Sequence, residues 1–243
     1  MPFPRGLALP LVAGAALGVL STYPYAATAI AYRHRDNGQA YLILVMGVGL
    51  WNGMFAAQTL SADPVVKGFF LALEAVGALL AGLGWFLFAG TASSTPAVPN
   101  RRSLYGLAAV LVGGAIALAM TNPAHGLYWA ATTAAAPSGF AAVAPRLGYW
   151  LYTGLLAALF VGGAVLFGAA WRSGASVRYT RAYTVAGAAT ALAVLGGSLV
   201  APGGLSVAPL VALAGSTVGW VQAGRGRVVR RLRSWGRALR RTG

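Results

Sequence analysis

Residues 68–89 read GFFLALEAVGALLAGLGWFLFA, an apolar run interrupted by one ionisable group, Glu74. A helix needs about 20 mostly apolar residues to cross the hydrocarbon core of a bilayer, so this run predicts a membrane span. Similar runs lie on both sides of it. Gly6–Tyr32 and Ala40–Leu60 precede it, and Leu104–Thr121, Gly148–Trp171, Tyr179–Val200 and Leu205–Ala223 follow. The first run is longer than the roughly 7 to 15 apolar residues of a signal-peptide core, and is read as a span that stays in the protein. The expected fold is all-α: a polytopic seven-transmembrane helix bundle over residues 1–223, followed by a basic tail over 224–243.

Composition points the same way. The 243 residues are 58% hydrophobic and 9% charged, against about 25% charged in a soluble domain. With no cysteine in the chain, disulfides, thiolate metal sites and thiol nucleophiles are excluded. A net charge of +15 would suggest nucleic acid as the partner of a soluble protein, but the spans sort these charges by side. Arg33, Arg35, Arg101, Arg102, Arg172, Arg178, Arg181 and the eight arginines after Ala223 fall on one face of the membrane, and Arg5, Lys67 and Arg146 on the other. Basic residues near span ends stay in the cytoplasm, so the amino terminus is expected outside and the carboxyl terminus inside. The implied location is the cell membrane, the first partner is the lipid bilayer, and no nucleic acid is expected.

Most connections are short, with Asp63-Pro64 and Pro202-Gly203-Gly204 on the outer face and the proline-containing Ser93–Asn100 inside. The segment from Asn122 to Leu147 is longer and holds His125, Tyr128, Trp129 and Arg146. Loops of that length are usually functional or disordered, and its aromatic content predicts a short helix lying at the membrane interface.

Ionisable residues inside a membrane are costly and mark functional sites by default. Glu74 lies seven residues inside Lys67, roughly 10 Å below the outer end of its helix. Gly77, Ala78 and Ala81 give that face room to approach a neighbour, and Asn52 on the preceding span, with Ala56 and Thr59, stands at similar depth. The expectation is that Asn52 and Glu74 meet in the outer half of the bundle, as a packing hydrogen bond or as the polar floor of an outward-facing pocket.

Enzyme chemistry finds little support in three acids and two histidines, because acid-base and metal-assisted catalysis need several such groups converging. No catalytic residue, metal site or cofactor is assigned. His34 sits among arginines in a solvated turn, and His125 has no neighbouring carboxylate. A retinal Schiff base would need a lysine inside the bundle, and the single lysine, Lys67, is at a helix mouth. The pairs Gly14/Gly18, Gly49/Gly53 and Gly215/Gly219 permit close helix approach and are read as packing within one molecule. In the tail, Val228, Leu232, Trp235 and Leu239 recur at helical spacing among Arg230, Arg231, Arg233, Arg237, Arg240 and Arg241. That is the pattern of an amphipathic helix on anionic lipid headgroups, with Arg230, Arg231, Trp235 and Arg237 as its contacts to the membrane surface or a protein.

Thr121-Asn122-Pro123-Ala124-His125-Gly126-Leu127-Tyr128-Trp129 resembles the TN-x-x-H-x-L-x-W stretch of the seven-transmembrane sensor region at the amino terminus of many histidine kinases. Glu74 followed by Trp85-Phe86-Leu87-Phe88-Ala89 is similar to that family's third helix, and Gly148-Tyr149-Trp150-Leu151 to the start of its fifth. The resemblance spans most of Gly6–Ala223 and implies a sensor that faces outward and passes its signal to a cytoplasmic domain. After Ala223 no phosphoacceptor histidine region or nucleotide-binding motif follows, so kinase activity is not carried over. The expected function is therefore a membrane sensor or receptor-like module. Its pocket for an unknown small ligand involves Asn52, Glu74, Asn122, His125 and Trp129, and it signals through a separate cytoplasmic protein. A small-solute transporter and a structural membrane subunit are the rivals. A transporter would show a continuous polar path, whereas the polar residues here collect in the outer half.

Overall fold

The run around Glu74 forms one helix from Pro64 to Ala92, 29 residues long, at the centre of a helical bundle. The computed structural model describes residues 5–31, 36–61, 63–92, 101–131, 143–174, 180–200 and 207–217. In chain order the elements are α1 (Arg5–Ala31), α2 (Asp36–Leu60), α3 (Pro64–Ala92), α4 (Arg101–Met120), α5 (Asn122–His125), β1 (Trp129–Ala131), β2 (Val143–Pro145), α6 (Leu147–Arg172), α7 (Thr180–Val200) and α8 (Ala208–Thr217). Each apolar run of the sequence falls on one of these helices. Within α2, α3, α6 and α7 lie segments long and apolar enough to cross a membrane; α4 and α8 carry shorter apolar stretches, Gly106–Met120 and Ala208–Thr217. The basic tail with Arg230, Arg231, Trp235 and Arg237, and the Ser93–Asn100 linker, lie outside the described residues.

The outward faces are those of a membrane protein. On α7, Val185, Leu192 and Leu199 recur every seven residues and are all largely exposed, as are Leu107, Val110 and Leu111 on α4. Such stripes would be an aggregation hazard in water; against lipid tails they are matched to their solvent.

Inside, α3 packs against α2, α4 and α6, while α1 packs on α2 and α7 on α6. The α2–α3 contact is made backbone to backbone. A Cβ on Gly77 would collide with the backbone of Leu50 and Trp51, one on Gly84 with Ile43 and Leu44, and one on Gly47 with Leu80 and Ala81. Small residues bring membrane helices together in this way because lipid supplies no hydrophobic drive between them. The paired glycines read from the sequence also pack within the molecule, save Gly219, which lies outside the described residues. Gly14 and Gly18 face Leu210 and Leu213 of α8, Gly49 and Gly53 face Thr22 and Val19 of α1, and Gly215 faces Ala186 of α7.

Deeper along α3, the Trp85 indole lies against Gly163 of α6, Gly187 of α7 and Gly215 of α8. Phe160, Phe167 and Tyr183 ring it, with centroids 6.2, 5.6 and 6.0 Å from that of Trp85. Phe88 extends the cluster, and the Tyr41 hydroxyl donates to the Ser216 carbonyl at 2.9 Å, tying α2 to α8.

The chain departs from all-α in the long loop. The interfacial helix expected there is a single turn, α5, because Pro123 suits a first turn while Gly126, at φ 60°, ends it in the left-handed conformation. Beyond it β1 and β2 pair antiparallel, Trp129 opposite Pro145 and Ala131 opposite Val143. Residues 132–142 lie outside the described set.

Candidate functional site

Glu74 is 9% exposed, and both of its carboxylate oxygens are held from α2. Trp51 Nε1–H donates to Oε1 at 3.3 Å and the Gln58 amide to Oε2 at 2.7 Å. Seven residues separate Trp51 from Gln58, two helical turns, so both donors project from one face of α2. Each carboxyl oxygen of Glu74 therefore faces one donor group of α2. Glu74 makes no ion pair among the described residues. Gln58 is fully buried, and its Oε1 has no hydrogen-bond partner among them. The Tyr152 phenol of α6 is near enough to interact electrostatically with Glu74.

A roof of loop residues lies over the part of α3 that flanks Glu74. Leu71, Ala72 and Ala75, which flank Glu74 on α3, pack with Tyr128 and Trp129 of the loop and Tyr149 of α6. The Tyr152 ring contacts those of Tyr128 and Tyr149, at 5.8 and 6.3 Å between centroids. The Tyr128 hydroxyl donates to the Ala115 carbonyl at 3.1 Å; burial pushes its phenol up to about 12, so it stays a donor at neutral pH.

Asn122 builds the roof. Its Oδ1 accepts the backbone N–H groups of Tyr128 at 2.8 Å and Trp129 at 3.3 Å, and its Nδ2 donates to the Trp129 carbonyl at 2.9 Å. His125 closes the same turn from outside. The Leu127 N–H donates to its Nδ1 at 3.0 Å, and Nε2 lies 3.0 Å from Thr121 Oγ1, whose own hydrogen goes to the Ala117 carbonyl. Both ring nitrogens are thus engaged. Gly148 completes the junction: a side chain there would strike the Leu127 carbonyl oxygen and the Tyr128 ring, each 2.9 Å from its Cβ position.

Of the five candidate pocket residues, Trp129 packs with Leu71, Ala72 and Ala75, the α3 residues that flank Glu74 in sequence, and Asn122 and His125 shape the loop that carries it. Asn52 lies elsewhere. Its Nδ2 donates to the carbonyls of Val48 and, on α8, Pro209, and its side chain faces Gly18 of α1. The expected meeting of Asn52 with Glu74 does not occur, because the Gly77 crossing turns Trp51 toward α3 and the next residue points about 100° away. Gln58, a polar residue seven after Trp51 and so on the same face of α2, meets Glu74 instead.

The family model describing the N-terminal 7TM region of histidine kinase matches residues 10–226. The chain belongs to that family. No curated protein matches it. In this chain the Thr121–Trp129 stretch has a physical reading: Asn122 and His125 fold the loop that seats Tyr128 and Trp129 on Leu71, Ala72 and Ala75 of α3. As a histidine-kinase 7TM region, the protein is a multi-pass cell-membrane protein and a membrane sensor module in signal transduction.

Proposed function

We propose that the protein senses a small ligand in a pocket on the extracytoplasmic side and reports it through helix movement to a cytoplasmic partner. The observation that carries this reading is Glu74, a buried carboxylate with no counter-ion among the described residues, roofed by the Asn122-organised loop. In this reading the pocket comprises Glu74 and Trp129, with Asn122 and His125 positioning its rim and Asn52 bracing α2 against α8. Below the site the aromatic cluster around Trp85 fills the bundle among the described residues, which favours sensing over the continuous polar path of a transporter. Helices that share Trp85 move together, giving the pocket a mechanical route toward the cytoplasmic ends of α3, α6 and α7. The tail after Ala223 would then meet anionic headgroups or the partner through Trp235 and its arginines.

A thermal-stability screen of the purified chain against small acids, amines, sugars and neutral amphiphiles tests the reading. A ligand that binds only the folded protein raises the melting temperature with the logarithm of its concentration. At least one chemical class is expected to do so in the wild type and to lose the effect in Glu74→Gln. A flat response across all classes would leave a structural subunit as the better reading.

The proposal also places seven spans with the amino terminus outside. Because the chain has no native cysteine, single cysteines at positions 101 and 136 report cleanly. Position 136 is expected to label from outside intact cells and position 101 only after permeabilisation; the reverse pattern would invert the topology.

A further inference from the structure

The polar atoms around Glu74 are unbalanced in one direction. Two donors, Trp51 Nε1–H and the Gln58 amide, are both spent on the carboxylate, whereas Gln58 Oε1 is a buried acceptor with nothing donating to it. No cationic side chain pairs with Glu74 among the described residues, so the carboxylate, when ionised, has no counter-charge there. A buried acceptor without a donor and a buried charge without a counter-charge are each costly, and both deficits call for the same missing species.

We propose that the site takes a small protonated amine, whose N–H groups reach Gln58 Oε1 and Glu74 and whose charge balances the carboxylate. This deepens the pocket reading above and rests on it. The walls favour an organic cation. Trp51 donates to Glu74 from α2, the Tyr152 phenol lies near enough to interact with it, and Tyr149 and Trp129 pack with its α3 neighbours Leu71, Ala72 and Ala75; aromatic faces attract ammonium groups within about 6 Å. An inorganic cation such as sodium would require a shell of oxygens, and this cluster offers mainly Glu74 and Gln58 Oε1. Anions are repelled by Glu74, and a neutral donor would satisfy Gln58 while leaving the charge unbalanced.

The test uses the full chain in nanodiscs at fixed ionic strength. Its probes are primary alkylammonium ions from methyl to hexyl, with tetramethylammonium as a cation lacking N–H, sodium as the inorganic cation and butyrate as an anion of similar size. Primary ammonium ions are expected to raise the melting temperature progressively with concentration, while tetramethylammonium, sodium and butyrate leave it near its starting value. Glu74→Gln should abolish the effect. Gln58→Leu, which keeps Glu74 but removes both the unpartnered acceptor and the amide donor on Oε2, should weaken apparent affinity by about tenfold or more, the scale of one hydrogen bond to a charged group; it carries the test if Glu74→Gln fails to fold. A sodium response equal to that of the amines would overturn the assignment, as would amine shifts that survive both substitutions. If acidic or neutral compounds shift the wild type and not Glu74→Gln, the amine class falls and the sensor pocket stands. If nothing shifts, both fall.

Discussion

Gly84→Ala is expected to deplete the folded protein, with a loss of about 3 kcal/mol or more, because the added methyl would enter the backbone of α2 at Leu44. Overpacking usually costs about 1 to 3 kcal/mol when a neighbouring side chain can rotate away. Here the obstacle is main chain within a hydrogen-bonded helix and cannot rotate. Relief requires α2 and α3 to separate, and Gly77 and Gly47 hold the same crossing farther along. Separation would also draw Trp51 and Gln58 away from Glu74, so the substitution should remove any ligand response together with stability. Gly113→Ala, Gly154→Ala and Gly196→Ala are the controls. Nothing lies within 4 Å of a Cβ at these positions, and alanine is the better helix former by up to about 1 kcal/mol. Thermal unfolding in one detergent compares all four. A wild-type melting temperature for Gly84→Ala would mean that the helices do not approach as closely as described.

That crossing shows where sequence reading reached and where it stopped. Runs of about twenty apolar residues announce helices without tertiary context, since lipid forces every backbone group into internal hydrogen bonds. Hence α1 through α4, α6 and α7 stand close to their expected ends. Crossing points are another matter. Gly77 and Gly84 are seven apart and escape a search for glycines four apart, yet they decide which face of α2 meets α3. With that face unknown, the sequence alone does not separate Asn52 from Gln58 as the partner of Glu74, and the expected Asn52 contact gives way to Gln58. The hairpin was illegible for a related reason. Ala130, Ala131 and Ala144 favour helix by propensity, and what holds their backbones in strands is pairing between segments more than ten residues apart. The Asn122-His125-Trp129 spacing was visible as a motif, but its meaning depended on Asn122 bonding main chain six and seven residues onward.

Asn122→Ala should therefore unfasten the roof without unfolding the bundle. The substitution removes three hydrogen bonds at once and leaves the Tyr128 N–H, the Trp129 N–H and the Trp129 carbonyl without their side-chain partner. Buried groups left unpaired cost about 1 to 3 kcal/mol each, so the loop lowers its free energy by opening and letting water reach them. The helices keep their own hydrogen bonds, and the global melting temperature should fall by only a few degrees. The large effect is local. Amide exchange at Tyr128 and Trp129 should accelerate by at least about a hundredfold, as expected if roughly 3 kcal/mol of local stability is lost. Asn122→Asp, which keeps the acceptor and loses the Nδ2 donor, should fall between the two. With Tyr128 and Trp129 lifted from Leu71 and Ala75, water reaches Glu74 and weakens every electrostatic contact there, so ligand affinity should fall even though Asn122 does not touch the carboxylate. Unchanged exchange at both amides in Asn122→Ala would mean that the strand pairing and the Tyr128–Ala115 bond hold the roof by themselves, and Asn122 would lose its role as organiser of the site.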